Sequence, residues 1–254
     1  MTVPLLAVLL AQATTPAAPP PATWSGSAGL GLIALTGNSQ AVTGSGTLAL
    51  ERKSPEWIWG LRASGAYGET TPPGAARSEV SALNASVQAR GDRRLDERIS
   101  LYLLAGADTD HLKDIEARPF GELGASYLFL DTKEGDLQKD TLRFDAGFRY
   151  GRELRFHYYP VPADIPDVDI VAPRIGALAR HAFSKDVIAS DEVSALLNVS
   201  GTARLLLTNT AKLTSRLWDK VSFGVGFVVS DDSVPPPGKV SVDTALTVLL
   251  EVGL

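Results

Sequence analysis

Cysteine is absent from the 254 residues. Its absence removes disulfides, thiolate catalysis and cysteine metal sites, although it does not fix a compartment. Histidine is scarce: His111, His157 and His181 are the whole set, and they stand well apart. No stretch approaches the roughly 18 consecutive apolar residues of a membrane helix. If this chain crosses a membrane, it crosses as a barrel. An excess of positive charge is also missing. The formal net charge is −5, so the overall field gives no reason to expect nucleic acid as a partner. No charged residue precedes Glu51.

What is present is ordinary in amount and unusual in order. Hydrophobic residues make up 44% and charged residues 21%, both normal for a folded domain. The opening Met1-Thr-Val-Pro-Leu-Leu-Ala-Val-Leu-Leu, followed by Ala11-Gln12-Ala13, reads as a signal-peptide apolar core and an A-x-A cleavage site without the basic flank. Pro16-Ala-Ala-Pro-Pro-Pro21 cannot pair inside a sheet and reads as an extended linker. Residues 1–23 are therefore expected to be a leader and linker, and 24–254 a single domain.

From Trp24 onward apolar and polar residues alternate. In 141–151, Leu142, Phe144, Ala146, Phe148 and Tyr150 share one parity, and Arg143, Asp145 and Arg149 the other. Side chains alternate across a β-strand, so this strand has an apolar face and a charged face. The pattern recurs in about twelve segments, with no competing helical stripe. It ends in Val242, Leu246, Val248, Leu250 and Val252 against Asp243, Thr247 and Glu251. The segment at 99–105 is blurred, because Tyr102 and Leu104 sit on the polar parity. The stretch 190–206 reads as two strands. Short turns are expected near 53–56, 91–96 and 217–220, and longer ones near 69–77, 155–169 and 231–239. Thr36-Gly37-Asn38-Ser39 and the joint near Gly201 are short where the alternation wants length. Short turns at one end and long loops at the other are the habit of bacterial outer-membrane barrels.

Alternation alone fits a soluble barrel with its apolar face inside or a transmembrane barrel with that face on lipid. The polar parity is rich in Gly, Ser, Thr and Arg rather than the Lys and Glu of a solvated face. Aromatics stand near the ends of apolar stripes: Trp57, Trp59, Tyr67, Phe129 and Tyr150, the expected membrane-interface anchors. The last strand is fully alternating, the kind of segment that barrel-assembly machinery reads. The expected fold is an all-β antiparallel transmembrane β-barrel of about twelve strands, with a lipid-facing apolar stripe and a polar interior.

Trp24-Ser25-Gly26-Ser27, Leu30-Gly31-Leu32 and Thr36-Gly37-Asn38-Ser39 resemble the opening of the domain-of-unknown-function family 481. Its members are often labelled salt-induced outer-membrane proteins. A second match is Asp232-Ser-Val-Pro-Pro-Pro-Gly-Lys239, followed by Asp243-Thr244. The resemblance spans 24–254. Family members usually end in an aromatic residue, whereas this chain ends Val252-Gly253-Leu254. The resemblance implies an outer-membrane barrel and brings no catalytic residues.

The polar parity collects Arg62, Arg90, Glu122, Arg143, Asp145, Arg149, Glu153, Arg174, Arg180, Glu192, Arg204 and Lys212. These are the candidate lumen-lining residues. Opposed charges across a lumen could select ions, or could pair and fill the interior. Asp108, Asp110, His111, Asp114 and Glu116 cluster in one expected outer loop. Their spacing matches no EF-hand, and a solvated acidic loop is the plainer reading. Asp164, Asp167 and Asp169 form a second such loop, opened by His157-Tyr158-Tyr159. A lipid hydrolase would need His181 and Ser184 as partners, and no G-x-S-x-G elbow is present. The expected role is non-enzymatic, a structural barrel or small pore in a Gram-negative outer membrane, without cofactor or metal. Its expected partners are outer-membrane lipids and the assembly machinery; the sequence leaves the oligomeric state open. The alternatives are an outer-membrane lipid hydrolase and a soluble barrel binding an apolar ligand.

Overall fold

The structure is a computed structural model that describes residues 22–35, 40–72, 74–157 and 165–254. The expected leader, the 36–39 turn, Tyr158, Tyr159 and Asp164 lie outside the described residues.

Twelve antiparallel strands close into one barrel. They are β1 (Thr23–Leu35), β2 (Gln40–Lys53), β3 (Trp57–Thr71), β4 (Glu79–Arg94), β5 (Ile99–Asp110), β6 (Ile115–Glu134), β7 (Leu137–Arg155), β8 (Val168–Ala182), β9 (Val187–Asn198), β10 (Arg204–Trp218), β11 (Val221–Asp232) and β12 (Val242–Gly253). Each pairs with the next, and β12 closes on β1 through Leu30↔Leu250 and its neighbours. The seam is short, with only Ser27–Leu30 paired to Leu250–Gly253, but it joins the two end strands, as closure of a sheet placed in lipid requires.

Directly paired residues share a face, so each row around the barrel lies wholly inside or wholly outside. Leu103, Leu123, Phe148 and Pro173 form one row across β5 to β8. The adjacent row, on the other face, is Arg90, Leu104, Glu122, Arg149 and Ala172. Burial tells which face is which. Leu30 is 77% exposed, Leu123 66% and Ile175 64%, while Glu122 is 2% and Glu153 0% exposed. A soluble barrel shows the reverse, because water solvates charge and expels hydrocarbon. The apolar face is therefore the outer one, as in a transmembrane barrel.

The start of β1 and the end of β12 lie at one end of the barrel. The connections there are short: 54–56, 95–98, 135–136, 183–186 and 219–220. One of the two tightest, at 135–136, needs Gly135 at φ 62°, which a side chain would resist. The opposite end carries 72–78, 156–167, 199–203 and 233–241, together with a single 3-10 turn at His111–Lys113. All four tryptophans of the chain, Trp24, Trp57, Trp59 and Trp218, sit near the terminus-bearing ends of their strands. Trp57 and Trp59 stack at 5.3 Å, and Phe129 meets Phe144 edge-on at 6.2 Å near the same end. Tyr67 and Tyr150 stand outward toward the long-loop end, 52% and 64% exposed.

The structure corrects several sequence boundaries. The turn expected at 91–96 lies at 95–98, because Asp92, Arg93 and Arg94 stay in β4 opposite Tyr102, Leu101 and Ser100. The Gly-Asp-Arg-Arg run reads as a loop only until Asp92 is seen to point inward at Arg90. Strand β7 extends beyond 141–151 at both ends, since Glu153 and Arg155 are inward residues of the same strand. In β6 a bulge between Leu128 and Leu130 leaves Phe129 and Leu130 both exposed outside. The stretch 190–206 does split, with β9 ending at Asn198 and β10 beginning at Arg204.

Candidate functional site: the charged interior

Two aromatic side chains on the inner face organise the charges. Tyr102 lies against Gly124 and Gly147, its neighbours in one cross-strand row. A Cβ at Gly124 would stand 2.6 Å from the Tyr102 ring. Phe120 is likewise received by Gly106 and Gly151, where a Cβ would come within 2.8 Å and 3.0 Å of it. Each ring then carries a guanidinium: Arg90 at 4.0 Å over Tyr102, Arg149 at 4.1 Å over Phe120. The layering is glycine wall, flat ring, arginine, carboxylate. Tyr102 and Leu104, which blur the alternation of β5, are thus interior residues. We expect Gly124→Val to force Tyr102 off the wall and destabilise the barrel by about 1–3 kcal/mol, measured by urea unfolding in detergent.

Three buried carboxylates are the nodes. Glu122 accepts from the Tyr102 hydroxyl at 2.6 Å and pairs with Arg149 at 2.7 Å and Arg174 at 3.2 Å. Asp145 takes Arg90 at 2.8 Å, Arg143 at 3.1 Å and the Ser126 hydroxyl at 2.7 Å. Glu153 receives Arg118 at 3.2 Å, Arg204 at 3.1 Å and Arg155. Outlying pairs complete the web: Arg90 with Asp92, Arg118 with Asp108, Arg204 with Asp232, and Lys113 with Asp243. An apolar cluster of Ile170, Ala172, Leu196 and Leu206 fills the same half of the interior. The interior is therefore mixed, not uniformly polar, because Leu196 and Leu206 fall on the inward parity of β9 and β10.

The opposite wall is different. The inward residues of β1 and β2 are mostly small, among them Ser25, Ser27, Gly29, Gly31, Thr43, Ser45 and Thr47, with larger exceptions such as Ile33 and Glu51. Solvent reaches the interior there, and Ser64, Asn84, Ser86, Thr208 and Thr210 remain exposed on the inner face. An ion pair crosses this space, as Lys113 with Asp243 does nearer the long loops. Arg62 on β3 meets Glu192 on β9 at 3.1 Å, and these strands stand diametrically apart in the closed order. Both side chains stay wet, 56% and 38% exposed.

Of the residues singled out from sequence, Arg90, Arg143 and Asp145 meet at one node and Glu122, Arg149 and Arg174 at a second. Arg204 joins a third, and Arg62 finds Glu192. Arg180 stands apart, donating to the Gln138 carbonyl at 2.8 Å, as does Lys212, paired with Glu251 at 2.5 Å. Asp92, Asp108, Arg118, Arg155 and Asp232 were missed. Asp108 falls in the stretch read as a loop, and the rest lie near strand ends beyond the visible alternation. Strand length was the missing signal, since parity counted outward from Glu122 or Asp145 reaches Arg118 and Arg155.

The acidic stretch 108–116 is not a solvated loop. Asp108 faces inward to Arg118, Asp110 caps the 3-10 turn by accepting from the Leu112 amide, and Asp114 pairs with Lys239 at 3.1 Å. Among the described residues no group of three or more His, Cys, Asp or Glu could hold a metal ion. His181 contacts Asp140 at 2.7 Å, and the Ser184 hydroxyl accepts from the amides of Asp186 and Val187. In the 156–167 connection, Asp167 accepts the Arg155 amide at 3.0 Å and pairs with Arg152 at 3.1 Å. The amide hydrogen bond, then Arg152, hold its pKa below the ordinary aspartate value. A lowered folded-state pKa means this contribution is complete above the unfolded value and lost as pH falls through the folded one. Limited proteolysis should therefore show faster cleavage in this connection at strongly acid pH, and Asp167→Asn should cleave faster already at neutral pH.

Comparison with known proteins places these features. A family model described as Protein of unknown function, DUF481 matches residues 28–254. No curated protein matches in sequence. Among solved structures, an outer membrane channel from Pseudomonas putida F1 is similar at 10% identity, with 93% of this chain and 97% of that chain covered and a TM-score of 0.50. A structure described as Bacterial polysaccharide outer membrane secretin gives 11% identity, 92% and 97% coverage and a TM-score of 0.44. KdgM porin gives 9%, 91%, 96% and 0.40. At such identities the channel shows a shared fold and no more. With its closed antiparallel barrel and its match across 28–254, the chain belongs to the domain-of-unknown-function family 481.

Proposed function

We propose that the protein is an outer-membrane pore for ions and small polar solutes, narrowed but not sealed by its charged interior. The observation that carries this reading is the Arg62–Glu192 pair, which spans the lumen while both side chains remain exposed to solvent. A packed plug would have desolvated it, as Glu122 and Glu153 are desolvated on the other wall. Opposed charges across a wet constriction set a transverse field that a passing ion must cross. The exposed outer face and the tryptophan belt support a bilayer setting, with the terminus-bearing end toward the periplasm as in other barrels of this kind. β12, two-faced, paired along its length with β11 and at its end with β1, would be the segment offered to the assembly machinery.

Planar-bilayer recording of the purified full chain tests the pore, with discrete conductance steps expected from wild type. A barrel that migrates faster unboiled than boiled on a gel, yet passes no current, would be a structural barrel, and the pore reading would fall.

A further inference from the structure

We infer that the long-loop half of the lumen holds a binding site for a small oxyanion of the phosphate or sulfate class. The site is a cavity of about 140 Å³ walled by Lys113, Arg118, Arg149, Arg155, Arg174 and Arg204. The carboxylates on that wall are Asp231 and Asp232. Glu122, Glu153 and Asp108, which hold most of these arginines, stand off it. Arg149 and Arg174 thus line the cavity while pairing with Glu122 off its wall, whereas Arg204 pairs also with Asp232 on the wall.

Two further observations point to an anion. Glu122 is shared by Arg149 and Arg174, so one carboxylate answers two guanidinium charges. Arg155 is 3% exposed, and its Nε–H has no hydrogen-bond partner among the described residues. A buried donor left unsatisfied is costly. The atom is shut off from solvent, so a small shift of the Arg155 side chain on binding would bring this donor to an oxyanion in the cavity. Guanidinium groups fix planar pairs of donors that match the oxygens of phosphate or sulfate better than a spherical halide. The Ser194 and Thr208 side chains lie on the inward parity at the same wall and add neutral donors. A cavity of this size holds several waters, enough for one such ion with residual solvent.

This inference deepens the pore reading, but it is tested apart from it. Calorimetric titration of the full chain in detergent with sodium phosphate, against sodium chloride at equal ionic strength, should show saturable binding of one ion per barrel. Arg174→Gln leaves Glu122 paired with Arg149 and Tyr102, so the barrel should refold; phosphate should bind about tenfold more weakly. Arg216→Gln, a charge-matched change at the far end, should bind as wild type does. No saturable phosphate heat in wild type, or equal affinity in Arg174→Gln, would overturn the site. Should Arg174→Gln not refold, Ser194→Asp supplies a carboxylate from the wall: it should abolish phosphate binding and raise the unfolding midpoint, and undiminished phosphate binding in it sinks the proposal. A wild type that binds phosphate but passes no current loses the pore and keeps the site; one that conducts without binding does the opposite.

Discussion

Glu153→Ala should cost the barrel about 3–5 kcal/mol, the usual penalty for stripping one partner from a buried ionic cluster. Glu153 is fully buried and meets Arg118, Arg155 and Arg204. The three arginines are not equally exposed to its loss. Arg118 keeps Asp108 and Arg204 keeps Asp232. Arg155 keeps a hydrogen bond to the Lys113 carbonyl and no carboxylate of comparable closeness. The cost should therefore concentrate on Arg155, and Glu153→Ala combined with Arg155→Met should recover most of it, because the uncompensated charge is gone. Urea unfolding in detergent, followed by tryptophan fluorescence, measures both. A Glu153→Ala barrel as stable as wild type would mean that the node is hydrated and carries little energy.

Arg62→Ala should leave stability almost unchanged and raise single-channel conductance severalfold. The pair with Glu192 is exposed, and exposed pairs contribute about 0–1 kcal/mol. Its position across the lumen is what matters, since removing one long side chain widens the space that the pair spans. Arg62→Glu should go further. Two carboxylates would face one another, repel and favour cations at the constriction. Adding Glu192→Arg restores an opposed pair, and conductance and selectivity should return toward wild type. Recordings in asymmetric potassium chloride read both quantities. If the single and double variants conduct alike, the bridge is not the constriction. Arg143→Ala and Arg149→Ala serve as the comparison: they sit in the packed web, and their larger effect should be on stability.

How much of this was legible beforehand varies along the chain. The strand around Phe144 and Phe148 declared two faces, and the final strand from Val242 to Val252 did the same. Where alternation was clean, parity placed Arg90, Glu122, Asp145 and Arg149 on one face. It failed at strand ends. Asp92 and Arg94 looked like a turn, and Asp108 like part of an acidic loop, because charge is read as exposure when only the local sequence is in view. Tyr102 and Leu104 looked like noise. Their meaning needed Gly124 and Gly147 beside them, and those glycines come from other strands.

The sequence by itself determined the period of two, the near absence of helix, the number of strands and the side on which most charges lie. Those properties are local: a side chain's face follows from its distance along the strand from the next. Partner choice is not local. Arg62 and Glu192 lie 130 positions apart and meet because β12 closes on β1, which brings β3 and β9 across one lumen. The sharing of Glu153 among three arginines, the unsatisfied Arg155 donor and the cavity beside it arise only once rows from different strands are stacked in register. Register and closure depend on every strand at once, so only the tertiary structure decided whether the charges of this lumen pack against a wall or stand in water.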